Sequence, residues 1–81
     1  MTFPLSVLTI DREVFAGSAK AVTLPGVAGE FQVLADHVPL IAKLKQGNVV
    51  IEKEDNSHQA IPIAGGTVEV TDKEVVVLAD F

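Results

Sequence analysis

Apolar and polar residues alternate with a period of two along almost the whole chain, in short runs rich in Val, Ile and Thr that are closed off by Gly, Pro, Asp or Asn. That period belongs to a strand with one face buried, because successive side chains of a strand point to opposite sides. Helical spacing is not sustained anywhere. The pattern predicts strands over residues 4–10, 13–16, 19–24, 30–34, 41–44, 48–53, 59–63, 66–71 and 74–79. In the last two, Val68 and Val70 share a face with Val75 and Val77, while Glu69 and Glu74 face outward or sit at an edge.

The breaks between strands have physical causes. Asp55-Asn56-Ser57 tolerates a left-handed backbone and joins a hairpin, and Thr71-Asp72-Lys73 does the same before the last strand. Gly65-Gly66 bends or bulges the chain. The stretch Leu24-Pro25-Gly26-Val27-Ala28-Gly29-Glu30-Phe31 reads as a tight β-turn-β unit with an acidic projecting tip, its two outer glycines supplying backbone angles that other residues avoid. Short strands at such regular spacing make an all-β chain, a two-sheet β-sandwich of about ten short strands. With no linker, repeat or low-complexity tract, residues 1–81 form one domain.

Composition narrows the function. The 81 residues are 48% hydrophobic and 21% charged, with a net charge of -5. This is too apolar for a disordered chain, and too acidic for one that grips phosphate backbones, so nucleic acid is not an expected partner. The absence of cysteine removes disulfides and thiolate metal sites. No apolar run reaches the ~20 residues needed to span a bilayer, and the first ten residues lack the basic start and long apolar core of a secretory signal. Membrane association is therefore expected only through a protein partner.

Few residues suggest chemistry. Asp36 and His37 are adjacent and could form an acid-base pair, but neighbouring strand residues point apart and no nucleophile is placed by a motif. The bland reading puts Asp36 at a turn position of positive φ and hydrogen-bonds His37 to loop backbone; a third reading places His37 in a partner surface. His37 and His58 are the only histidines and lack metal-ligand spacing. Gly26-Val27-Ala28-Gly29 has neither the Gly-Lys-Ser/Thr ending nor the following helix of a phosphate loop. Its apolar tip residues Val27 and Ala28, beside Glu30, instead suggest a contact surface. Lys73 in its hairpin turn raises one alternative, a lipoyl or biotinyl carrier domain modified at that lysine. Its place near the end of the chain, followed by Glu74, argues against it. No catalytic, metal or cofactor site is expected.

Several motifs occur together in a fixed order: Leu5-Ser6-Val7-Leu8-Thr9, Asp11-Arg12-Glu13-Val14-Phe15 with Gly17, the Leu-Pro-Gly, Gly-Glu-Phe, Val-Leu and His-x-Pro-Leu block from Leu24 to Ile41, Leu44 with Gly47, Ala64-Gly65-Gly66, and Val68-Glu69-Val70 leading to Val77-Leu78-Ala79-Asp80. In this combination the whole chain resembles the amino-terminal domain of the F-type ATP synthase epsilon subunit. The resemblance implies a β-sandwich in the central rotor stalk that couples without catalysing, bound to the gamma subunit on one side and touching the polar loops of the c-ring with its tip. By position, the c-ring contact falls on Val27, Ala28, Gly29, Glu30 and Phe31, with Glu30 facing a basic loop. The gamma contact falls on His37, Val38, Leu40 and Lys43. The implied location is peripheral, on the cytoplasmic face of the bacterial inner membrane.

Asp36 stands where the family usually has glycine, and Thr67 where it has a larger apolar or aromatic residue. Family members usually continue past the Leu-Ala-Asp segment into a helical hairpin that inhibits ATP hydrolysis and, in some bacteria, binds ATP. The present sequence stops short of it, so neither role is expected of these residues.

Overall fold

A computed structural model describes residues 1–81 and contains strands and turns only. In chain order the strands are β1 (Phe3–Leu8), β2 (Glu13–Ala19), β3 (Ala21–Gly26), β4 (Gly29–Leu34), β5 (Leu40–Leu44), β6 (Gly47–Glu52), β7 (His58–Ile63), β8 (Gly65–Val70) and β9 (Val75–Asp80). The nine strands form one hydrogen-bonded path that forks at β3. Residues 21–23 of β3 pair with β6, and Gly26 at its end pairs with Leu44 of β5. One arm runs β5-β8-β9-β1-β2 and the other β6-β7, with β4 on the far side of β3. All pairings are antiparallel except β1 with β9, a link that closes the first arm from strands at opposite ends of the chain. The arms fold over one another as the two faces of a β-sandwich.

Every strand contributes to a single core, and the alternation read from the sequence selects which residues enter it. Val75, Val77 and Ala79 of β9 are buried and Leu78 and Asp80 are exposed; Val68 and Val70 of β8 are buried and Glu69 is exposed. Leu5, Leu24 and Ile51 are the largest fully buried side chains. Removing one such side chain from water contributes about 1.5–3 kcal/mol, and the core holds no buried polar or charged residue to offset it.

The strand boundaries differ most from the sequence pattern at the ends of β1 and β2, while β2 begins at Glu13 as expected. The apolar run through Ile10 does not extend β1, because Thr9 Oγ1 bonds to the Asp11 carboxylate at 2.9 Å and the Thr9 N–H to the Arg12 carbonyl at 2.8 Å, turning the chain and leaving Ile10 exposed. β2 does not stop at Ala16, since Gly17, Ser18 and Ala19 continue the ladder opposite Leu5, Pro4 and Phe3. Turn chemistry matches the expectation at 55–57: Asn56 has φ 69°, the only non-glycine residue at positive φ. Asp36 was expected at positive φ and is not there; the turn it occupies closes through the His37 N–H donating to the Leu34 carbonyl at 3.1 Å, a geometry open to any residue.

Candidate functional site

The β3-β4 hairpin has Val27 and Ala28 at its two-residue tip, with Gly26 paired to Gly29 across the base. Two glycines make this possible. Gly29 has φ 136°, and a Cβ on Gly26 would lie 2.6 Å from the Gly29 carbonyl oxygen and 2.9 Å from the Phe31 ring. The Phe31 ring therefore occupies space beside Gly26 that a side chain at that position would need.

The tip is not free. Val27 N–H donates to the Lys43 carbonyl at 3.0 Å, and Lys45 N–H to the Pro25 carbonyl at 2.8 Å, so the hairpin is clipped to β5 on both sides of Leu44. A shallow groove of about 340 Å³ runs between them, lined by residues 26–29, Phe31, Leu40, Ala42 and Lys43. A second groove lies next to it, lined by residues 31–34, Asp36, His37, Val38 and Leu40. Phe31 and Leu40 form the shared wall. Of the residues assigned to two contacts from the sequence, all but Glu30 line one or both of these adjoining grooves, with Lys43 on the hairpin groove rather than beside His37 and Val38; Glu30 is exposed between the groove residues Gly29 and Phe31 and lines neither.

Exposure on this surface is unusual for large apolar groups. Val27 is 59% and Val38 70% exposed. Glu30 and Lys43 are exposed and make no ion pair within the chain; the Glu52 carboxylate has Lys20 Nζ at 3.9 Å and His58 Nε2 at 4.0 Å. The strip is apolar, with Glu30, Asp36 and Lys43 exposed and outside any ion pair at its margins.

His37 departs from its sequence reading. Its backbone N–H is bonded, but its ring makes no hydrogen bond to the loop: Nδ1 is buried with no partner, and the ring packs edge-on against Phe3 at 5.4 Å and 88°. Packing won over bonding because the 34–37 turn directs the ring inward against the core. The sequence reading also missed Ala42 and Gly26 as groove residues. The alternation starting at Leu40 places Ala42 on the same side as Leu40 and Leu44, a signal that was available.

No three His, Asp or Glu side chains converge on a common point. A larger cleft of about 510 Å³ lies between residues 9–12 and 79–81; the Thr9 hydroxyl and Asp11 carboxylate that line it are bonded to each other in the turn after β1, with the Thr9 hydroxyl also accepting from the Arg12 N–H. Lys73 sits exposed in the β8-β9 turn, whose geometry is set by Thr71: Oγ1 accepts the Lys73 and Glu74 N–H groups at 3.2 and 3.1 Å. No helix is long and apolar enough to cross a membrane.

Residues 2–81 match the family model described as ATP synthase, Delta/Epsilon chain, beta-sandwich domain. Among curated relatives, the ATP synthase epsilon chain of Bordetella petrii is 44% identical over 79 residues, covering 98% of this chain and 56% of the relative. That of Sulfurimonas denitrificans is 47% identical over 76 residues, covering 94% and 58%. The chain thus spans a little over half the length of these relatives. Among solved structures, a chain of the Euglena gracilis mitochondrial ATP synthase, in an assembly of OSCP, F1 and c-ring, superposes with a TM-score of 0.90 at 25% identity, over 96% of this chain and 50% of that one. A chain of the Tetrahymena thermophila mitochondrial ATP synthase central stalk and c-ring superposes at 0.79 with 12% identity, covering 100% and 65%, a likeness of fold.

Proposed function

The chain belongs to the delta/epsilon-chain β-sandwich family of ATP synthases, and on that premise we propose that it is a non-catalytic part of the central stalk of a proton-translocating F-type enzyme, coupling gamma to the c-ring. The family assignment removes the ground for a carrier domain modified at Lys73. In this reading the c-ring loops meet Val27, Ala28, Gly29, Glu30 and Phe31, gamma meets His37, Val38, Leu40 and Lys43, and the protein is peripheral to the cytoplasmic face of the bacterial inner membrane.

The observation that carries the reading is the clip between the hairpin tip and β5 through Val27 and Lys43. A rotor part transmits torque only if its two contact surfaces do not slide relative to each other. Here the tip is tied by backbone bonds to a strand of the five-stranded arm, and its side chains share a wall with the second groove. Exposed Val38 and half-exposed Leu40 give gamma an apolar patch, and Glu30 gives a basic c-ring loop a charge partner.

Co-purification of the full chain with its cognate gamma subunit tests this. The wild-type chain is expected to bind, and Leu40→Asp to bind at least about tenfold more weakly, since docking would bury an unpaired carboxylate. A folded wild-type chain that fails to bind, or a variant that binds equally well, contradicts the reading.

A further inference from the structure

Pro25 is buried at the base of the β3-β4 hairpin, two positions before Val27. It weakens the clip to β5. Antiparallel residues that stand as 25 and 45 do exchange two backbone bonds, one in each direction. Lys45 N–H donates to the Pro25 carbonyl at 2.8 Å, but proline has no N–H to donate back. The hairpin base therefore holds one bond where another residue would hold two.

A packing contact stands in for the second. Gly47, two residues beyond Lys45, opens β6 with its backbone against the proline ring: a Cβ at position 47 would lie 2.8 Å from Pro25 Cβ and 3.2 Å from Pro25 Cγ. The φ of Gly47 is not positive, so this glycine is required for space and not for its backbone angle. A buried ring carbon cannot swing aside as the end of a flexible side chain would. Gly47 is fixed in turn, paired with the buried Ile63 in the β6-β7 ladder. Residues 45–47 thus grip Pro25 twice, through the Lys45 amide and the bare face of Gly47, and join the hairpin base to both arms of the sandwich.

We propose that Pro25 and Gly47 are positioning residues for the coupling contact: the proline seated on the glycine sets the direction in which the 27–31 tip projects. The inference rests on the coupling reading above. Neither residue lines the two grooves, so their effect on a partner passes through the placement of the tip. A side chain at 47 would press Pro25 away from β6, and the displacement would fall on the Val27 N–H bond to Lys43, two residues along.

Amide exchange in the full chain, with ATP-driven proton pumping and ATP hydrolysis in vesicles whose synthase carries the same variant, tests the proposal. Gly47→Ala is expected to keep its circular dichroism and to exchange the Val27 amide at least about tenfold faster, while Val22 and Val49 stay protected. Protons pumped per ATP hydrolysed should fall. Adding Pro25→Gly, which clears the contact, should restore both readouts. Adding Pro25→Ala should not, although it supplies the same N–H, because it keeps the Cβ. A general loss of stability would instead speed Val22, Val49 and Val27 together and would not separate the two double variants. If Val27 stays slow in Gly47→Ala, or if both double variants behave alike, the positioning proposal is overturned and the coupling reading stands. If Val27 becomes fast and pumping is unchanged, the tip moves without consequence and both fall. Should Gly47→Ala alone not fold, recovery of the fold by Pro25→Gly supports the proposal and its failure overturns it.

Discussion

The amide of Val27 donates to the carbonyl of Lys43 across 3.0 Å, joining the hairpin tip to β5. Ala28, next in the chain, has no backbone partner for its own N–H. Amide exchange in the isolated chain should therefore be slow at Val27 and fast at Ala28. Fast exchange at both, under conditions where Val22 and Val49 are protected, would mean that the tip moves independently of β5.

Leu24→Ala should destabilise the domain by about 2–5 kcal/mol, because Leu24 is fully buried at the fork of the two arms and its loss leaves a cavity between them. Ile41→Ala, at a residue 73% exposed, should change stability by less than about 0.5 kcal/mol. Denaturant unfolding followed by far-ultraviolet circular dichroism checks both. The chain has neither Trp nor Tyr, so fluorescence would be uninformative.

His37→Phe should make the isolated protein more stable by about 1 kcal/mol and at the same time weaken its binding to gamma. The phenyl ring can keep the edge-on packing against Phe3 and removes a buried nitrogen that has no partner. The opposite effect on binding is expected because His37 lines the groove assigned to gamma, where the phenyl ring removes a polar ring edge. A variant that gains stability and binds as the wild type does would show that His37 serves packing alone.

The Asp55 carboxylate is held below its ordinary value of 3.8, first by the Ser57 hydroxyl at 2.6 Å and then by the Ser57 N–H at 3.0 Å. A depressed carboxylate favours the folded hairpin at pH above its unfolded value, and that support is lost as pH falls through the folded one. Exchange at the Ser57 amide should therefore accelerate, beyond its intrinsic pH dependence, only under acid conditions. In Asp55→Asn that extra acceleration should be absent.

Much of the fold was legible because one face of each strand is buried, so alternation alone separates Val75 and Val77 from Leu78. The turn at Asn56 was legible because few residues accept its backbone angle. What alternation could not convey is pairing between strands far apart in the chain. The parallel match of β1 with β9 and the single contact of Gly26 with Leu44 depend on how the layers close, and nothing local encodes either. The site shows the same division. Residues 27–31 and His37, Val38, Leu40 and Lys43 stand out in the sequence as contact candidates, but the sequence does not show that they adjoin, since their adjacency is made by the Val27 and Lys45 backbone bonds. The ring of His37 was misjudged because a histidine beside an aspartate in a turn looks like a hydrogen-bonding residue, and the Phe3 ring that packs against it lies 34 positions earlier.

The most direct test of coupling is ATP-driven proton pumping in membrane vesicles whose synthase carries Glu30→Lys, with ATP hydrolysis followed in the same vesicles. Glu30 is exposed beside the tip and makes no ion pair within the chain, so reversal of its charge should leave folding intact. A rim ion pair contributes only about 0–1 kcal/mol and is screened by salt, so Glu30→Gln should lower pumping slightly. Glu30→Lys replaces attraction to a basic loop with repulsion and should lower protons pumped per ATP hydrolysed clearly at low salt, with partial recovery at moderate salt. Wild-type pumping by the Glu30→Lys enzyme at both salt concentrations would contradict the assignment of this tip to the c-ring.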